Sequence, residues 1–216
     1  MLFAEFVRVW RTSLAGVADV GDYGAVDEAG RSFPLLSATT DGDVQVVVTA
    51  GFHGDEKAGP LTLLAHAPAL FAEARARRVG LRLYPCVNPS GFEAHTRYNA
   101  SGERPNNDFL RYEIAPGVWR GELHEGETPL SWRAFGGGPK ETVALARALA
   151  LHPAPVAALD LHQDNFVHGH IFYSYVFGER APYRPLQTRS GARMPVLRNA
   201  LVDSGYEPGS DVRADA

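Results

Sequence analysis

The chain has a single cysteine, Cys86, among its 216 residues. No internal disulfide can form, which suits a reducing compartment and excludes a disulfide-stapled scaffold. Cys86 has no basic neighbour in sequence and reads as a buried, inert thiol. Excess positive charge is also lacking: 21 Lys and Arg stand against 25 Asp and Glu, a formal charge of -4. The basic footprint that nucleic acid requires is therefore missing. Long apolar runs are absent as well. The longest uncharged stretch, Ala58 to Ala72, is broken by Pro60 and Pro68 and falls short of the roughly 18 apolar residues of a membrane span. The opening MLFAEFVRVWR carries Glu5 and Arg8 within its apolar part and no small-residue cleavage site, so it does not read as a secretory signal. Neither a nucleic-acid nor a membrane partner is expected, and the expected location is the cytoplasm. There is no internal repeat. With 45% apolar and 21% charged residues, the composition suits a globular chain with one core, read as a single domain over residues 1–216. Oligomeric state is not legible in the sequence.

What is present alternates between two periods. VQVVVT, 44–49, is β-branched and nearly continuous in apolar character, as a strand buried on both faces should be. It is followed by AGFHGDEKAG and then by the helical PLTLLAHAPALFAEARARR, in which Pro60 suits the first turn and the arginines suit the negative pole. Pro68 is expected to kink or divide that helix. LRLYPCV, 81–87, reads as a strand that runs into a loop rich in turn formers. Residues 112–138 show neither period and are read mostly as loop. Residues 140–151 form an amphipathic helix with Val143, Ala146 and Ala150 on one face and Leu145 and Leu149 beside them. VAALDL, 156–161, and HIFYSYVF, 170–177, read as strands, and 192–205 as a last helix. Strands alternating with helices imply an α/β fold, with a mixed, mostly parallel sheet covered by helices on both faces. In such sheets, sites lie at the carboxyl ends of strands.

Two histidines stand at such ends. His53 and Glu56 form H-x-x-E just past the first buried strand, and His162 follows the strand VAALDL. Two imidazoles and a carboxylate, with a fourth position left open, are the ligand set of a catalytic zinc site. Spacing alone leaves open the alternative of two separate polar loop residues, because H-x-x-E recurs at His124 and Glu127 with no strand before it. His168 and His170 alternate on one face of a strand and read as a polar strand edge. Asp160 and Asp164 flank His162 as possible partners of an imidazole nitrogen.

Taken in order, GFHGDEKAG, NPSGFEAHTRYNASGERPNNDF and LDLHQD resemble the zinc carboxypeptidase family of the carboxypeptidase A type. That family includes murein-peptide amidases and, more distantly, succinylglutamate desuccinylase and aspartoacylase. The resemblance, which extends over about residues 20–205, implies a zinc carboxypeptidase-like fold with His53, Glu56 and His162 as zinc ligands. It places Arg97 where the family keeps the arginine that polarises the scissile carbonyl. A guanidinium beside a metal also has its own physical rationale, since it stabilises negative charge developing on oxygen. Asn88, Pro89 and Gly91 read as turn-shaping residues.

Two departures bear on activity. Without gaps, the family's D-L-N-R stretch corresponds to Arg104, Pro105, Asn106 and Asn107, which keeps an asparagine but loses the arginine that grips a terminal carboxylate. With a four-residue insertion it corresponds to Asp108, Phe109, Leu110 and Arg111, which restores that arginine. Asn106, Asn107 and Arg111 are thus the candidate substrate-binding residues. The family's late-strand glutamate base has no clear counterpart either: after His162 only Glu179 and Glu207 remain, so the strand carrying the base is expected to be lacking from residues 1–216, or the base to be absent. The expected function is that of a zinc-dependent hydrolase cleaving an amide bond of a small peptide or N-acyl amino acid, whether as carboxypeptidase, amidase or deacylase. The alternative is a zinc-binding but catalytically inactive domain that binds a peptide.

Overall fold

The computed structural model describes residues 1–106, 110–121, 123, 127–134, 138–163, 174–175, 184–193 and 212–213. By internal contacts the chain divides into two units, Met1–Gln163 and Asp164–Ala216. In chain order the first holds α1 (Phe3–Leu14), β1 (Asp19–Glu28), β2 (Arg31–Thr39), β3 (Val44–Ala50), α2 (Ala58–Ala76), β4 (Val79–Tyr84), α3 (Pro89–Ala94), β5 (Leu110–Ala115), β6 (Val118–Arg120), β7 (Ser131–Ala134), α4 (Lys140–Ala150) and β8 (Ala157–Leu161). In the second, β9 (Ser174–Tyr175) pairs in parallel with β10 (Val212–Arg213), and α5 spans Arg184–Gly191. Of the strand expected at 170–177, only Ser174 and Tyr175 are described. Of the helix expected at 192–205, Ala192 and Arg193 form a turn and the rest lies outside the described residues.

The main sheet is mixed, with strand order β1-β2-β4-β3-β8. Its parallel part is β4-β3-β8, and the β1–β2 hairpin adds antiparallel strands on one side. Period two along β3 sends side chains to opposite faces. Val48 and Ala50 join a core that includes Leu63, Ala67 and Phe71 of α2, whereas Val47 joins Leu145 and Ala148 of α4. Helices therefore cover both faces, which is why this strand reads as almost continuously apolar. In α1 the stripe Phe3, Phe6, Trp10 and Leu14 is buried in the first of these cores, at the spacing of one helical face.

Three sequence expectations are refined. α2 is not divided at Pro68: Leu63, Leu64, Ala67, Phe71 and Ala74 are buried on both sides of it. Burial at about 1.5–3 kcal/mol per large side chain outweighs the cost of about 3 kcal/mol for an interior proline. The buried face of α4 is not the one expected. Ala146 and Ala150 are exposed, while Glu141, Thr142, Leu145 and Ala148 are buried, because the leucine packs on Val47 and Tyr84 and the acid is drawn into a polar cluster. Residues 112–138, read as loop, contain most of a three-stranded antiparallel sheet, β6-β5-β7. Its turn is Pro116-Gly117, with Gly117 at φ 75°, and P-G between two β-rich runs is the local signal for it. Finally, Cys86 is buried as expected, and burial pushes its thiol up.

Candidate metal centre

β3 and β8 are adjacent parallel strands in the register Ala50 to Leu161, so their carboxyl ends emerge side by side. The chain leaves β3 through Gly51, whose φ of 72° and close approach to Pro60 and Cys86 admit no side chain. A tight turn follows, closed by the Glu56 N–H donating to the His53 carbonyl at 3.2 Å. It sets both side chains toward β8. His53 and Glu56 are buried, and His162 is about one-third exposed at its side chain. The rings of His53 and His162 lie 5.2 Å apart, and donor atoms of His53, Glu56 and His162 all fall within 4.8 Å of one another.

Glu56 is the hub of this arrangement. Its Oε2 lies 2.8 Å from His162 Nδ1 and accepts the Gln163 backbone N–H at 2.9 Å. Its Oε1 accepts from Arg97 Nη1 at 3.1 Å. Gln163 returns the tie, its Oε1 accepting the Ala58 N–H at 3.2 Å. The sequence reading did not single out Gln163; its only signal was its place next to His162.

Asn88 brings in the third segment. This fully buried residue caps α3 by accepting the Gly91 N–H at 2.9 Å, and its Nδ2 donates to the Phe52 carbonyl at 3.2 Å and the Arg97 carbonyl at 3.4 Å. It thereby staples the His53 turn to the loop bearing Arg97, the structural part expected of it. Gly54 is needed at the same junction, since a Cβ there would overlap the backbone of Gly91 and Phe92. Gly54→Ala is expected to destabilise the protein by about 3 kcal/mol or more, because backbone cannot step aside as a side chain does. An unchanged urea midpoint would show that the loop yields after all.

Arg97 Nη2 lies 3.2 Å and Asn106 Nδ2 3.4 Å from His53 Nε2. Of the three candidate substrate-binding residues, Asn106 is thus at the site. Asn107 lies outside the described residues, and Arg111 sits in β5 with its guanidinium beside Gly121. Glu127, of the second H-x-x-E, pairs with Arg120 at 2.9 Å. His124, Asp164, His168, His170, Glu179 and Glu207 lie outside the described residues.

The charges around Glu56 favour a cation. Burial raises its pKa, yet hydrogen bonds from His162 and Gln163 and the histidine charges outweigh that and hold it below its ordinary value. Burial opposes charging of His162, but Asp160 and Glu56 overcome it and push this imidazole up to about 10. Burial holds His53 below its ordinary value, against the charge of Glu56 and together with the charges of Arg97 and His162. Two cationic groups therefore occupy the oxygens of one carboxylate. A divalent ion fits the same acceptors, and two imidazole nitrogens with one carboxylate oxygen match zinc in both number and softness.

The loop that follows Arg97 is anchored by acids whose sequence carried no recognisable motif. Asn99 Nδ2 donates to Glu103 at 2.8 Å and to Glu141 at 3.2 Å, and Glu28 accepts from Ser90, Ala100 and Ser101. Burial, together with the charges of Glu28 and Glu103, pushes Glu141 up to about 7. The unfolded chain ionises a glutamate near ~4.3, so between these values the folded state binds the extra proton. The contribution of Glu141 to stability is complete below that window and is lost at up to about 1.4 kcal/mol per pH unit as the pH rises through it. Urea unfolding should therefore show Glu141→Gln losing less stability than wild type between pH 5 and 7.5. Parallel losses would mean that Glu141 does not titrate there.

The α/β architecture with this strand-end cluster is a carboxypeptidase-like fold carrying a candidate metal centre. The model of the succinylglutamate desuccinylase/aspartoacylase catalytic domain matches residues 43–198, and the chain belongs to that family. Among solved structures, the chain is similar to a candidate metallopeptidase from Shewanella denitrificans OS217, at 23% identity and a TM-score of 0.64, covering 99% of this chain and 71% of that one. A second, from Shewanella amazonensis SB2B, gives 23% identity and a TM-score of 0.64 over 97% and 74% of the two chains. Bovine thrombin-activatable fibrinolysis inhibitor, solved with a tick carboxypeptidase inhibitor, gives 15% identity and a TM-score of 0.55 over 87% and 68%. At these identities the likeness is one of fold. A comparison with curated proteins gives no match. Among the described residues, no helix is long and apolar enough to cross a membrane.

Proposed function

We propose that the chain is a zinc-dependent hydrolase that cleaves an amide bond in a small peptide or an N-acyl amino acid. The observation carrying this reading is the convergence of His53, Glu56 and His162 with Arg97 at the carboxyl ends of adjacent parallel strands. In this reading the first three residues hold zinc. When bound, zinc supplies Lewis-acid polarisation of a carbonyl oxygen and activates water near neutral pH. Arg97, half-exposed and free to turn from Glu56 toward a substrate, donates N–H groups to the oxygen on which negative charge develops. Asn106 offers an amide in place of a guanidinium fork. It hydrogen-bonds a neutral carbonyl or amine of the substrate and gives no bidentate grip on a free carboxylate, which favours amidase or deacylase chemistry over release of a C-terminal residue.

Metal analysis of the purified chain, together with hydrolysis of a mixed panel of peptides and N-acyl amino acids, tests this reading. One zinc per chain and turnover that stops on chelation and returns with zinc are expected. Stoichiometric zinc with no turnover on any substrate would instead favour a metal-binding, catalytically silent domain.

A further inference from the structure

We infer that Asp160, itself held by Thr49, is a positioning residue that fixes the His162 ring with Nδ1 facing Glu56. The inference rests on the metal centre proposed above and adds to it a line of side chains that crosses from one strand to the next. Thr49 on β3 and Asp160 on β8 are directly paired in register. The buried Thr49 hydroxyl lies 2.8 Å from Asp160 Oδ1 and donates to it. The other carboxylate oxygen, Oδ2, lies 2.8 Å from His162 Nε2, and His162 Nδ1 lies 2.8 Å from Glu56 Oε2.

The order of these contacts decides which nitrogen is available. Both ring nitrogens face carboxylate oxygens, which only accept hydrogen bonds; when a metal ion takes the Nδ1 side together with Glu56, the proton of the neutral imidazole is held on the Nε2 beside Asp160 and the Nδ1 lone pair is given to the ion. Asp160 and His162 are two residues apart at a strand end, where side chains share a face, so the bond forms without bending the backbone. Thr49 occupies the second oxygen and keeps the carboxylate from rotating away. Because the threonine belongs to the strand that leads to His53, the same contact ties together the two strand ends that supply the ligands.

The test is zinc affinity, measured for the whole chain by competition with a chromophoric chelator, with thermal unfolding of the metal-free protein followed in parallel. Asp160→Asn should weaken zinc binding by about 10–100-fold while leaving metal-free unfolding close to wild type. Thr49→Val leaves Asp160 in place and should weaken binding by about 3-fold or more, a smaller share of the same outer-partner effect. Cobalt bound in place of zinc should show a shifted visible spectrum in both variants, a readout that loss of packing alone would not move. Wild-type zinc affinity in Asp160→Asn would overturn the positioning role and leave the metal centre standing. A wild-type chain that takes up no zinc would overturn the centre itself, and this role with it.

Discussion

His162→Ala is expected to abolish stoichiometric zinc binding. The imidazole is the one proposed ligand supplied from the carboxyl end of β8, and it faces the oxygen of Glu56 that also accepts the Gln163 N–H. Without it, His53 and Glu56 would offer two donors from one short turn, fewer than the three protein ligands that hold a catalytic zinc. The loss should exceed the roughly 10–100-fold that follows removal of an outer hydrogen-bond partner. The fold should survive, because Glu56 keeps the Gln163 N–H and Arg97 as partners and the ring is about one-third exposed. Metal content after dialysis against dilute zinc, read beside the circular dichroism spectrum, checks both parts. One zinc retained per chain would show that the third ligand is another residue.

Arg97→Ala should have the opposite signature, with metal content unchanged and turnover reduced by about 100- to 1,000-fold, the cost of losing one donor to a developing oxyanion. Its contacts with Glu56 and His53 make little difference to stability. A half-exposed ion pair contributes at most about 1 kcal/mol, and zinc would satisfy the same acceptors. Arg97→Lys should recover only part of the rate, since an ammonium group lacks the planar fork that can donate to two sites at once. The measurement is kcat on whichever substrate of the panel is cleaved, with zinc content determined on the same samples. Equal kcat in wild type and Arg97→Ala would remove this residue from the chemistry.

How far the sequence could be read depended on whether the signal was local. β3, α4 and β8 were legible because each is a short run with a clear period, bounded by turn formers. The β6-β5-β7 sheet was not, since three- to six-residue strands are too short to establish alternation, and only Pro116-Gly117 marked the hairpin. The face of α4 was misjudged for a related reason. Val143, Ala146 and Ala150 make as good an apolar stripe as Leu145, Ala148 and Leu149, and the choice lay with Tyr84 and Val47 across the interface. The cluster of Glu28, Glu103 and Glu141 around Asn99 had no spacing to betray it, because its members come from β1, a loop and α4.

At the centre itself the division is sharper. The residues alone determined the donor chemistry, two imidazoles and a carboxylate, and their placement just beyond buried strands, since side-chain type and strand ends are both properties of short segments. Only the tertiary structure decided that Glu56 and His162, 106 positions apart, lie 2.8 Å from each other, that Asn106 shares the site, and that Thr49 and Asp160 stand behind His162. Those distances follow from the parallel adjacency and register of β3 and β8, and strand order is set by how helices pack on both faces of a sheet, which no local pattern of residues encodes.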